Sequence, residues 1–289
     1  MKRPLAGLVL ALLPTGLCGQ GVATAQVQTA ASPPLPAIPR LMKEVFEHQK
    51  QLDKVRENYT YSVAREVQEI DGKGQVNKTE REEYEEFFVN GHEVWRKVKK
   101  NGQPLTDNEQ KKESERVSKT VEKAEETPPD QPLEGHAITV GRLLEIMDVR
   151  NERRERYRGR PAIVFDFVGR KDAQTHGLLE DVSKKLQGTI WIDEADRQVA
   201  HVDAAFDDNF HIAGGVVVNI QKGSNFHFDQ AQVNGEIWLP TGVEGSVQAR
   251  VLLVKGYRQH FTERDYDYKR FRVEAEQGKG AKVVPENKP

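Results

Sequence analysis

Cysteine is almost absent from these 289 residues: Cys18 is the sole one. A single thiol forms no intramolecular disulfide and no zinc–thiolate cluster, so neither staples this fold. Charge of one sign is lacking too. Lys plus Arg number 43 against 45 Asp plus Glu, which excludes the basic excess of a nucleic-acid-binding chain. Beyond residue 17 no apolar run approaches the ~20 residues that cross a bilayer. GxSxG, P-loop and dinucleotide GxGxxG motifs are missing, as are HxH and HExxH, so no familiar catalytic or zinc constellation declares itself. The expectation is a chain that is not an enzyme and that carries no cofactor.

What is present first is an export signal. Met1-Lys2-Arg3 is a short positive region, Leu5 to Leu17 is mostly apolar, and Ala23-Thr24-Ala25 gives a small-x-small cleavage pattern. Residues 1–25 are therefore expected to be cut off between Ala25 and Gln26, placing the protein in the periplasm or otherwise outside the cytoplasm. Lipidation at Cys18 is the weaker reading, because bulky Leu17 precedes it. Cleavage leaves a cysteine-free chain and takes the formal charge from −2 to −4. Residues 26–39, with Pro33, Pro34, Pro36 and Pro39, read as an Ala/Pro-rich linker.

From there the apolar period decides the elements. Leu41, Val45, Phe46, Leu52 and Val55 recur at helical spacing, predicting a helix over 40–57. At Tyr59 the period changes to two. Strands follow over 59–67, 80–89 and 93–100, joined by turns that include Asn90-Gly91 and Asn101-Gly102, strong hairpin signals. A helix over about 107–126 has a thin apolar stripe of Val117, Val121 and Ala124, so it belongs on the surface. Residues 139–147 read as a short helix. Further strands are expected over 149–157, 162–169, 188–193, 198–206, 209–221, 225–233, 236–239, 243–255 and 256–268, with a helix over 178–186. Gly214-Gly215 reads as a bulge.

With consecutive strands and no βαβ units, the fold class is mostly β (α+β). The expected architecture is a large curved antiparallel sheet of about eleven strands, a half-barrel with helices on its concave face, spanning 40–276 before a polar tail at 277–289. The alternative is two smaller sheets divided near 127–138.

The order of parts, the hairpin Trp191-Ile192-Asp193, turn, Gln198-Val199-Ala200-His201-Val202, and the segment Val233 to Pro240 resemble the periplasmic lipoprotein-carrier superfamily of the LolA/LolB type. The resemblance also takes in secreted outer-membrane lipoprotein-sorting-like proteins and covers roughly 40–273. It implies an open sheet with an apolar trough that accepts acyl chains. The helix at 107–126 departs from the small carriers. The resemblance implies a non-enzymatic periplasmic binding or carrier protein for a lipid or lipidated protein, touching membranes at most peripherally. The alternative is an envelope interaction or sensor protein with a protein partner.

Trough candidates are the apolar residues on predicted strands: Tyr61, Val63, Trp95, Phe165, Phe167, Trp191, Phe228 and Trp238. His211 and His227, on strands expected to pair, could meet near Asp229, but two histidines and one carboxylate without a metal motif read as a sheet surface, and no metal is expected. Glu80, Glu82, Glu83, Glu85 and Glu86 read as one solvated strand face. The arginines of 150–160 read as an exposed face, with anionic lipid headgroups as the minority reading.

Overall fold

The computed structural model describes residues 34–129, 131, 133, 142, 145–176, 178–212, 218–251, 255–276 and 280–285. The expected signal, most of the linker, much of the short helix at 139–147, the Gly214-Gly215 bulge and the ends of the tail lie outside the described residues.

Helix α1 (Ile38–Arg56) leads directly into β1 (Tyr59–Ile70), which hairpins into β2 (Val76–Val89), β3 (His92–Lys100) and the two-residue β4 (Gln103–Pro104). Helix α2 (Asp107–Glu126) follows. Next come β5 (Met147–Tyr157), β6 (Arg160–Gly169), the short α3 (Leu178–Ser183), β7 (Leu186–Asp193) and β8 (Val199–Phe206). The rest is strand: β9 (Phe210–Ile212), β10 (Val218–Ile220), β11 (Asn225–Val233), β12 (Ile237–Val251), β13 (Lys255–Glu276) and β14 (Gly280–Pro285).

The strands make one open antiparallel sheet, a half-barrel, in the order β4-β3-β2-β1-β13-β12-β11-β8-β7-β6-β5. The two-sheet alternative therefore gives way to a single sheet, because β13 inserts between β1 and β12 and joins the two meanders. Its register with β1 runs from Tyr59 opposite Arg270 to Glu69 opposite Gln259. The hairpins turn as the sequence predicts. Asn90-Gly91, Asn101-Gly102 and Asn234-Gly235 each place two consecutive residues at positive φ, the geometry that matches strand twist. Arg158-Gly159 does the same with φ of 47° and 83°.

Two strand expectations are corrected. The strands expected over 236–239 and 243–255 join in one strand, β12 (Ile237–Val251), which runs through Pro240, and Lys255 already belongs to β13. A register shift between Asp229 and Gln230 of β11 absorbs the missing proline N–H. Residues 209–221 are instead two short strands, β9 and β10, paired antiparallel with each other. Residues 280–285, in the expected polar tail, form β14 against the end of β13.

The core lies between α1 and the sheet. Leu41 and Val45 enter a cluster with Ile163, Phe165, Phe167, Ile190, Ile192, Val202 and Phe206. Farther along α1, Leu52 meets Tyr59, Ala200, Ile237, Trp238 and Leu239.

Helix α2 lies along β3. Its N-terminus is a capping box, Thr106 and Glu109 bonding each other's backbone N–H. Beyond the brief β4 pairing, α2 side chains meet the edge of β3: Glu113 accepts from the Lys97 N–H at 2.7 Å, and Arg116 donates to the Trp95 carbonyl. A free strand edge invites pairing with other chains, and this polar helix closes it.

Candidate functional site

The register sets seven of the eight trough candidates on the face that α1 covers in part. Phe165 and Phe167 are fully buried under α1, and Phe228 packs against the same cluster. Trp238 lies in the second cluster. Its indole N–H donates to Asp196 at 2.9 Å, and the Arg160 guanidinium sits 5.6 Å from its ring centre. Tyr61 and Val63 join Tyr84 in a third cluster with Phe88, Trp95 and Tyr268 around it. Tyr61 and Tyr268 are 5.2 Å apart between ring centres, and Tyr84 and Trp95 are 5.3 Å apart. That third cluster contains no α1 residue. Trp191 faces the other way, on the outer side of the sheet: it pairs with His201 across β7 and β8, and the rings are 5.0 Å apart.

The hairpin between β7 and β8 holds α1 in place. Glu44 pairs with Arg197 at 3.1 Å, the His48 ring contacts the Asp196 carbonyl at 3.0 Å, and Gln49 donates to Gln198 at 2.7 Å. Asp193, 2 % exposed, shapes this turn by accepting from the N–H groups of Ala195 and Asp196. It also pairs with Arg160 at 2.5 Å. Burial works to raise its pKa, but Arg160 and those N–H groups outweigh it and hold the carboxyl below the usual range. The Trp-Ile-Asp motif thus divides its labour: Trp191 outward, Ile192 into the core, Asp193 into the turn.

A cavity beside Trp238, bounded by Tyr157, Arg160, Ala162, Gln230 and Ala231, measures about 70 Å³, well below the ~300–1,000 Å³ of ligand pockets. The Gln230 side chain, 2 % exposed, lines it without a hydrogen bond.

The third cluster carries buried carboxyls that the sequence pattern does not flag. Glu86 is 2 % exposed and accepts from the Tyr61 hydroxyl. The solvated-face reading holds for its neighbours Glu82, Glu83 and Glu85, which pair with Lys97, Lys99 and Arg96. It fails for Glu86, because Glu86 shares its rung with Tyr61 and Trp95. Burial, then the charge of Glu93, pushes its pKa well above the ordinary value. Burial likewise lifts Glu263 to about 7 and Asp265 to about 8, with Glu263 and Glu93 adding to the latter. Neighbouring opposite-strand residues place them: Asp265 lies opposite Val63, and Glu263 opposite Arg65.

Four of the six arginines between 150 and 160 are paired with carboxylates. Arg153 pairs with Asp166 at 3.0 Å, Arg154 with Glu194 at 2.6 Å, Arg158 with Asp229 at 3.1 Å, and Arg160 with Asp193. A register shift between Arg150 and Arg153 breaks their simple alternation.

His227 does not meet His211. On the outer face β11 pairs with β8, so His227 lies opposite Asp203, and Asp229 opposite His201. His211 lies opposite Asn219 on β10. Asp203 Oδ1 is 2.8 Å from His201 Nε2 and also contacts His227 Nδ1. Asp229 Oδ1 is 2.8 Å from His201 Nδ1 and accepts from the Tyr157 hydroxyl. Tyr157 stacks on His201 with ring centres 4.9 Å apart. Burial lowers the His201 pKa, but Asp229 and Asp203 outweigh it and raise it overall. The two-residue spacing of His201 and Asp203 was visible in the sequence; their partner strand was not.

No helix of the described residues is long and apolar enough to cross a membrane. No family model matches the chain, and no curated protein matches it. Among solved structures it is similar to a LolA superfamily protein from Nitrosomonas europaea, at 11 % identity and a TM-score of 0.34 over 78 % of this chain and 92 % of that one. A putative outer membrane lipoprotein-sorting protein domain from Vibrio parahaemolyticus gives 8 % and 0.32 over the same shares. The MucA/MucB complex of Pseudomonas aeruginosa gives 11 % and 0.22 over 77 % and 94 %.

Proposed function

We propose that this chain is an exported, non-enzymatic binding protein that holds the acyl chains of a lipid or lipidated protein against the inner face of its open sheet. The observation that carries this reading is the way that face is filled. One amphipathic helix supplies Leu41, Val45 and Leu52 to it and is fastened to the adjacent hairpin by side-chain contacts.

Such a helix is a replaceable plug. Burying Leu41, Val45 and Leu52 contributes roughly 1.5–3 kcal/mol each, whereas an acyl chain contributes ~0.8 kcal/mol for every methylene buried. A chain of about twelve or more carbons therefore outweighs the helix side chains it displaces. The cavity beside Trp238 is too small for such a chain, so in this reading ligand entry and helix departure are one event. The aromatic cluster around Tyr61, Val63 and Trp95 extends the apolar surface beyond α1, and Phe165, Phe167, Phe228 and Trp238 form the floor that the helix uncovers.

The test is an environment-sensitive acyl probe titrated into the purified chain, with mass spectrometry of lipid extracted from protein taken from the periplasm. Saturable binding is expected, lost when α1 is locked to the sheet by a disulfide engineered between Leu52→Cys and Ile237→Cys. Lipid-free protein that leaves the probe unbound sinks the proposal, as does probe binding unaffected by the lock.

A further inference from the structure

The outer face of β8 and β11 holds two histidines and two aspartates on consecutive rungs, the histidines on one diagonal and the aspartates on the other. We propose that His201 Nε2, His227 Nδ1 and the Asp203 carboxylate bind one divalent ion of the zinc class, with Asp229 as the outer carboxylate that orients His201. This site is separate from the inner face and does not depend on acyl binding.

Ligand chemistry comes first. Two imidazoles and one carboxylate, with all three ligand atoms within 4.8 Å of one another, are the donor set of a three-ligand zinc site that leaves a fourth position for water or another molecule. The fourth position opens to solvent here, because the His227 and Asp203 side chains are 50 % and 41 % exposed.

Convergence comes second. Asp203 Oδ1 touches both rings, 2.8 Å from His201 Nε2 and in contact with His227 Nδ1, so the pairing of β8 with β11 already brings the three donors to one point.

The surroundings come third. Metal-binding histidines almost always give their other N–H to a carboxylate or carbonyl, which fixes the tautomer. Asp229 takes that place, and is itself held by the Tyr157 hydroxyl and by Arg158 at 3.1 Å. Tyr157 and Trp191 flank the His201 ring, fixing its plane. Ligands around tetrahedral zinc lie about 3.3 Å apart, given Zn–N bonds of about 2.0–2.1 Å. Both contacts of Asp203 have to open, that with His201 by roughly half an ångström and that with His227 by more, a move the exposed Asp203 can make.

The test uses the full chain purified without a polyhistidine tag, stripped with chelator and dialysed against zinc sulfate near neutral pH. About one zinc per chain is expected, and zinc raises the unfolding temperature, as any ligand of the folded state does. His227→Ala abolishes both effects, and Asp203→Asn provides a second ligand variant should the first fail to fold. Asp229→Asn weakens binding roughly 10–100-fold. His211→Ala, on β9, leaves it unchanged. A wild-type chain that takes up no zinc overturns the proposal and leaves His201 as an imidazolium between two carboxylates. Zinc uptake that survives both ligand variants overturns it as surface adsorption.

Discussion

Gln49 on α1 donates its side-chain amide to the Gln198 side chain across 2.7 Å, a buried pair that joins the helix to the end of the β7–β8 turn, just before β8. Gln49 is 3 % exposed and Gln198 is 6 % exposed. Neither amide has water to fall back on when the other is removed.

Gln49→Ala is therefore expected to cost about 1–3 kcal/mol in urea unfolding, the penalty for leaving a buried amide unsatisfied. The same variant binds the acyl probe more tightly than wild type, because it weakens the seated helix and leaves the sheet intact. Lower stability with unchanged probe affinity assigns the pair a structural role alone.

Removing one partner of the Arg160–Asp193 pair is more damaging. Asp193→Ala strips a turn of its acceptor and leaves Arg160 without its main counter-charge. Breaking a buried pair typically costs ~3–5 kcal/mol. Arg160 is 44 % exposed, which favours the low end. Thermal unfolding should put Asp193→Ala well below Arg153→Ala, whose pairs lie at the surface.

The buried carboxyls give the stability a particular pH slope. Glu263 and Asp265 hold their protons to about pH 7 and about pH 8 when folded, while unfolded carboxyls release theirs near pH ~4. Between those limits the folded chain binds more protons, so stability is greatest near the low end and falls as pH rises. Glu86 is raised in the same direction, and the charges of Arg65 and Glu93 act on Glu263, Arg65 opposing its rise and Glu93 adding to it. Urea unfolding at stepped pH should show wild type losing stability from about pH 5 to 8, and Asp265→Asn losing clearly less. Equal slopes in the two proteins contradict this.

The α2 cap is testable through association. Glu113→Ala combined with Arg116→Ala frees the Lys97 N–H and the Trp95 carbonyl on the β3 edge. Light scattering should detect concentration-dependent self-association in the double variant, and none in Lys111→Ala with Glu115→Ala, which alters exposed residues of the same helix.

Much of this was legible in the residues. Asn-Gly pairs placed the hairpins, and the change of period at Tyr59 marked the passage from α1 to β1, because both signals are local. Trp191 shows where local reading stops. An apolar residue on a strand says nothing about which face is buried until its neighbours are known, and Trp191 lies tilted against His201 outside. Glu86 is the mirror case, a carboxylate among surface glutamates that pairing with Tyr61 carries inward. His227 found Asp203 rather than His211 because β9 and β10 form a separate excursion, and strand order is a long-range property.

β13 occupies the middle of the sheet yet comes late in the chain. Its first partner, β1, lies roughly two hundred residues earlier at Tyr59 opposite Arg270, so this one pairing closes a very long loop, while most other strands pair with their neighbours in the chain. Such long-range pairing is slow to form. The meander β1–β4 and the strands β5–β12 have no shared pairing until this strand threads between them. A nascent chain that ends before β13 therefore holds two separate sets of paired strands and cannot close them into one sheet.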